Sequence, residues 1–291
     1  MQVTPLQIKS EKKKKKIKYY TWFLIPFLIL LALLILLPFV IIIFYSLFKE
    51  TSEFPIYRFT GENYEAFIKN SKIVFALFKS LWFAFIATII TLLISYPLAY
   101  FISKRSPKTQ NLLILLVTAP MWINMLLRIL ALKQIFDGPL LKLAQSMGYS
   151  EKTLLGSSIT VIIGMVYIYI PYMVLPIYTI LQKLDKRLIE ASTDLGGKTS
   201  HTFLHVTLPL SLPGIMSGVT IVFLSSATTI AISKYLGGGK YNLIGNIIET
   251  EFITNSAWGY GSAISIILLA IIMLVMWVGT KISSKYEGGD E

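Results

Sequence analysis

Apolar residues dominate this chain in long unbroken runs, and polar residues cluster between them. Six runs are long enough to cross a hydrocarbon core of about 30 Å as helices. They span roughly 21–48, 75–103, 111–136, 157–182, 212–236 and 261–283. A water-soluble helix would show one apolar face and one polar face; these segments are apolar all round. The pattern predicts an all-α integral membrane protein with six transmembrane helices. Residues 1–20 and 284–291 are left as tails, with one six-helix domain over 21–283 between them.

Composition supports this reading. Of 291 residues 55% are hydrophobic and 14% charged, against about 25% charged in a typical soluble domain. Cysteine is absent, which excludes disulfides, thiol catalysis and thiolate-bound metal. His201 and His205 are the two histidines. An i, i+4 pair can hold a metal, but no carboxylate stands near it in the pattern, so a solvated helix face is the reading adopted.

The net charge of +12 is unevenly spread. Lys9, Lys12 to Lys16 and Lys18 precede the first run. Such a cluster could serve as a nucleic-acid arm; beside a span it reads better as an anchor on the inner membrane face and its anionic lipid. An even number of spans puts both termini on one side. That side, with the 104–108 and 183–211 loops, carries sixteen Lys and Arg, and the opposite loops carry seven. The excess predicts cytoplasmic termini in a multi-pass plasma-membrane protein. The loops 49–74, 137–156 and 237–260 then face outward. The first run is too long for a signal-peptide core and no small-residue cleavage site follows it.

The most structured polar segment is LDKRLIEASTDLGGKTSHTFLHVTLP, residues 184–209. Asp185 can cap a helix over Lys186 to Leu195. Leu188, Ala191 and Leu195 give it a narrow apolar stripe. Gly196 and Gly197 supply the positive φ that ends it. A second short helix can run from Ser200 to Val206, with Pro209 as its stop. So short a helix is marginal alone in water, and its stripe calls for a partner surface. A protein groove and the lipid headgroups are equal alternatives on pattern alone.

The same segment resembles the coupling loop of ABC importer permeases. That loop reads E-A-A, three residues, G, nine residues, I, any residue, L-P. Glu190, Ala191 and Ser192 stand for E-A-A, Gly196 for G, and Val206, Leu208 and Pro209 for I-x-L-P. The segments YPLAYFISK (96–104), APMWINMLLRILALK (119–133), GMVYIYIPYMVLPIY (164–178) and GGGKYNLIGNII (237–248) extend the likeness to the first permease subunit of spermidine/putrescine importers. It covers most of residues 20 to 283. The resemblance implies the type I (MetI-like) permease fold with a cytoplasmic coupling helix. It also implies a second permease subunit in a heterodimer, two ATPase subunits and an extracytoplasmic substrate-binding protein. ATP and Mg would be used by the ATPase, with no cofactor, metal or nucleic acid bound by this chain.

A polyamine path calls for aromatic faces and carboxylates. Tyr64, Trp122, Leu132, Tyr167, Tyr169 and Tyr172 are the candidate path residues, each also readable as packing or interface-belt residues. Trp122 is the leading one, about halfway along its predicted span beside Asn124. Glu62, Glu65, Asp137, Glu249 and Glu251 are carboxylates in or beside the outer loops. Arg128, Lys133 and Lys234 lie within spans and should face protein or water. Arg128 is expected in a structural ion pair, for which the second permease subunit is a candidate partner. Lys234, in SKYLGG, stands where polyamine permeases often carry Asp, which counts against a cation path unless the side chain snorkels outward. The chain has no G-x-x-x-x-G-K-[ST] phosphate loop, so it is expected to be a transport subunit and not an enzyme. A permease for another solute, and an ion-coupled carrier or channel, are the rival readings. The second predicts carboxylates within the spans, and these spans hold almost none.

Overall fold

The structure is a computed structural model that describes residues 5–50, 57–148 and 153–287. Residues 1–4 of the basic tail, Lys152 and residues 288–291 lie outside the described residues. Helix α1 (Pro5–Leu47) runs through the Lys-rich segment into the first span. A short antiparallel hairpin follows, β1 (Phe48–Glu50) with β2 (Tyr57–Phe59), pairing Lys49 with Arg58. Then come α2 (Glu62–Lys69) and the long α3 (Ser71–Ser103).

The third predicted span is not one helix. Helix α4 (Pro107–Thr118) runs into a 3₁₀ turn at Ala119–Trp122, and α5 (Met125–Asp137) leaves with α6 (Pro139–Ser146) at 94° to it. Pro120 lacks an N–H, Ile123 is extended, and the Asn124 side chain accepts from Leu126 N at 2.8 Å to start a new helix. Hydropathy is continuous through this break, so the run of apolar residues did not reveal it.

Helix α7 (Ser158–Lys183) matches the fourth predicted span and contains Pro171 and Pro176. The fifth differs from expectation. Helices α8 (Lys186–Asp194), α9 (Thr199–Thr202) and α10 (Leu208–Leu210) precede α11 (Leu212–Ala227), and the stretch 199–210 bends by 61° into α11. After a break at 228–230 come α12 (Ala231–Leu236) and α13 (Ile244–Glu249). Helix α14 (Trp258–Glu287) closes the chain. Among the described residues four helices are long and apolar enough to cross a membrane, and up to six crossings result if each bent pair is one span.

Helices α3, α7 and α11 pack together as the centre, and α1 lies against α14. A Cβ at Gly214 would come 2.8 Å from the Pro176 carbonyl and 3.1 Å from the Ile177 Cα. Small residues here let α11 approach the kinked part of α7 closely. Large apolar side chains also cover the outside of α1, α3 and α14, as expected where the solvent is lipid.

Candidate functional site

The loop between α7 and α11 is a bracket of two arms. Asp185 caps α8 by accepting from Arg187 N at 3.0 Å. Gly196 ends it with φ +81°, a region where a side chain is strained. Gly197 then donates to the Ser192 carbonyl at 3.0 Å, too close to admit a Cβ. Across this turn the Ser192 and Thr202 hydroxyls lie 2.9 Å apart. Pro209 does not stop the second arm. A π-turn over Phe203–Thr207 widens the helix just ahead of it, and the chain stays helical through Leu210.

Most of α8 is open, and its exposed surface mixes an apolar stripe with charged and polar side chains. Leu188 is 48% exposed and Leu195 89% exposed, with Ala191 and Glu190 exposed between them. Val206, Leu208 and Pro209 are half-buried on the second arm. The inner side is anchored. The Phe203 ring sits edge-on to Tyr96 at 5.8 Å and Tyr100 at 5.4 Å, both on α3. The Tyr96 hydroxyl is 2.9 Å from the Ser211 hydroxyl at the bend into α11. Nearby, Gln110 donates to the Ser103 and Arg105 carbonyls and accepts from the Tyr178 hydroxyl at 3.1 Å. This ties the ends of α3 and α7 to the start of α4. Sequence reasoning missed these anchors. Tyr96 and Tyr100 stand at i, i+4 on one helix face, which was the available signal.

His201 and His205 stack at 4.1 Å on an exposed face. Among the described residues no group of three or more metal-binding side chains occurs.

The candidate path residues are spread over several elements, with Tyr169 and Tyr172 in ring contact. Tyr64 donates to the Ser46 hydroxyl at 2.9 Å, beside the hairpin at the end of the bundle away from the bracket. Trp122 is 79% exposed at the 94° break, and Leu132 packs against the core from α5. Tyr167 is 43% exposed, whereas Tyr169 is buried and donates to the Ser225 carbonyl at 3.0 Å. Two residues apart on a helix, they point to opposite sides. Tyr172 is half-buried, edge-on to Tyr169. Tyr169 is 6% exposed and packs in the core cluster.

The carboxylates are engaged. Glu62 pairs with Lys49 at 2.7 Å, and that hydrogen-bonded ammonium holds its carboxyl below the usual range. Glu65 pairs with Lys69 at 2.5 Å, Asp137 accepts from Thr153 and Glu251 from Asn255. Lys234 pairs with Glu249 at 3.2 Å, which removes much of the objection to a cation beside a cationic solute. Arg128, expected in an ion pair, has none among the described residues; its Nε is buried without a hydrogen-bond partner.

The pattern of the binding-protein-dependent transport system inner membrane component family matches residues 95–287, which contain the whole bracket. The chain belongs to this family. The permease is 38% identical over 263 residues to the spermidine/putrescine transport system permease protein PotB of Haemophilus influenzae, covering 88% of this chain and 92% of that one. It is 36% identical over 271 residues to PotB of Escherichia coli strain K12, covering 88% and 95%. Among solved structures, a bacterial ABC transporter that imports the acidic polysaccharide alginate matches with TM-score 0.74 at 12% identity, over 96% of this chain and 99% of that chain. The MetNI methionine transporter matches with TM-score 0.58 at 17% identity, over 74% and 95%. The permease therefore has the type I, MetI-like fold of ABC importers. That fold serves an acidic polysaccharide in one neighbour and methionine in another, so it leaves the solute open.

Proposed function

We propose that this permease is one of two membrane subunits of an importer for spermidine or putrescine, powered by ATP hydrolysed on separate ATPase subunits. The exposed stripe of Leu188 and Ala191 on α8, continued by Leu195 at its C-cap, carries the reading. It is an apolar face on a short helix, held out from the bundle by the Gly196 turn. A groove on an ATPase would bury it, with Glu190 pairing to a basic residue of that groove. The assembly would hold this chain, a second permease, two ATPases and an extracytoplasmic binding protein.

The mechanical argument follows from the anchors. The Ser192–Thr202 contact makes the two arms move together, and Phe203 between Tyr96 and Tyr100 passes the displacement to α3. The Tyr96–Ser211 contact passes it to the bend into α11. Closure of the ATPases on ATP would rock these helices and open the path outward, and hydrolysis would reset it. The charge asymmetry supports a cytoplasmic bracket and cytoplasmic termini, with residues 1–20 as a basic anchor and 284–291 as a second cytoplasmic tail. Both PotB relatives support the polyamine. Trp122, exposed at the helix break, is the favoured contact for a passing ammonium, with Tyr64, Leu132, Tyr167 and Tyr172 as further candidates and Tyr169 only if the helices rearrange.

Reconstitution of the assembled importer in vesicles tests this reading. Labelled spermidine should accumulate only with ATP and the binding protein present. Accumulation by this chain alone, or movement of a different solute with no polyamine uptake, would reject it.

A further inference from the structure

Lys79 lies in α3, in a stretch that is otherwise almost wholly apolar. A charge in such a helix needs a partner. Among the described residues no carboxylate pairs with it. Its Nζ lies instead 4.0 Å from the centroid of the Tyr241 ring, 5.8 Å from Phe83 and 6.0 Å from Phe75. These are cation–π distances.

Two of the three rings, those of Tyr241 and Phe83, are held without help from the lysine, whereas Phe75 is 67% exposed. The Tyr241 hydroxyl accepts from the Ser158 hydroxyl at 2.9 Å. The strand of loop that carries Tyr241 is tied to α3 one residue beyond Lys79, where Ile244 N donates to the Ser80 hydroxyl at 2.8 Å. Phe83 is buried, and its ring stands 5.8 Å from that of Tyr241. Rings fixed by their own neighbours keep their faces when the lysine is taken away.

The lysine side chain is a four-carbon chain ending in a primary ammonium. One end of a linear alkyl diamine is the same group. We propose that the Tyr241–Phe83–Phe75 cage is a binding site for the primary ammonium of an alkylamine, occupied at rest by the permease's own Lys79. The proposal rests on the polyamine reading for its biological meaning, because the cage lies at the end of the bundle away from the bracket, where that reading has solute enter. A tethered occupant competes at an effective concentration in the millimolar range. Free amine then displaces it only where amine is delivered at high local concentration. The site would admit an arriving ammonium and stay closed otherwise.

The test is a saturation-transfer NMR titration of n-butylammonium on the full-length permease in an uncharged glycoside detergent. Lys79→Met should bind the amine about threefold or more tighter than the parent, since the competitor is gone and the rings remain. Lys79→Met with Tyr241→Phe should keep that gain, because the ring face survives. Lys79→Met with Tyr241→Leu should lose it. No gain in Lys79→Met, or a gain that survives Tyr241→Leu, would overturn the proposal. n-Butylammonium is a monoamine and the titration needs no transport. The cage can therefore fail while polyamine uptake by the importer stands, and uptake can fail while the cage stands.

Discussion

The hydroxyls of Ser192 and Thr202 meet at 2.9 Å across the turn that joins the two arms of the bracket. The first belongs to the helix with the open apolar stripe, and the second is buried beside Phe203. Ser192 stands where the family's motif has alanine, so this contact is an addition to the motif and not a part of it. A hydrogen bond of this kind contributes about 1 kcal/mol. In a double-mutant cycle, Ser192→Ala and Thr202→Val should each weaken ATPase binding by about fivefold, and together by little more than either alone. Fully additive losses, read by titrating the ATPase onto the permease, would mean that the arms are not coupled through these groups.

Gly196 should tolerate little. Its φ of +81° costs a branched side chain about 1–2 kcal/mol or more, although the space around it is open. Gly196→Val should leave membrane insertion intact, shift the direction in which α8 leaves the turn, and lower ATPase co-purification. Gly196→Ala should show a milder form of the same defect. Normal ATPase yield with Gly196→Val would count against the bracket as the docking element.

Trp122 and Tyr169 should separate cleanly by their surroundings. Trp122 is 79% exposed, so Trp122→Ala should leave the melting temperature nearly unchanged while raising the KM for polyamine about threefold to tenfold. Tyr169 is 6% exposed, so Tyr169→Ala should destabilise the fold by about 3–5 kcal/mol, as large core truncations do. Tyr169→Phe removes only the hydrogen bond to the Ser225 carbonyl and should cost about 1 kcal/mol. Unchanged uptake kinetics in Trp122→Ala would remove it from the path.

The Lys49–Glu62 pair joins the hairpin to α2, and its carboxyl is held below the usual range by the Lys49 hydrogen bond. A group lowered in this way contributes above its unfolded pKa and loses that contribution as pH falls through the folded value. Amide exchange in the hairpin, corrected for its intrinsic pH dependence, should therefore begin to quicken as pH falls through the ordinary carboxylate range and level off only below the depressed folded value. Glu62→Gln should abolish the acid step. A pH profile identical in parent and variant would show that the pair does not hold the hairpin.

The bracket was legible in the chain because its signals are local. A capping Asp185, a stripe at helical spacing and a glycine pair act within a few residues of one another, and the structure has the cap, the short helix and the positive φ at Gly196. Pro209 was misread because a π-turn ending two residues upstream, invisible to spacing rules, gives a proline room inside a helix. Lys79 carries no local signal of its own. Its meaning depends on Tyr241, which is 162 residues away along the chain.

Membrane residence and the number of apolar segments were determined by the sequence alone, because transfer into lipid is a sum over residues and does not depend on how helices meet. The 94° break after Trp122, the burial of Tyr169 beside an exposed Tyr167, and the pairing of Lys234 with Glu249 were decided only by the tertiary structure. Each turns on which helix lies against which. In lipid, hydrophobicity is nearly equal inside and outside the bundle, so it sets depth but not facing. Facing is decided by close packing at small residues and by a few buried hydrogen bonds between distant segments.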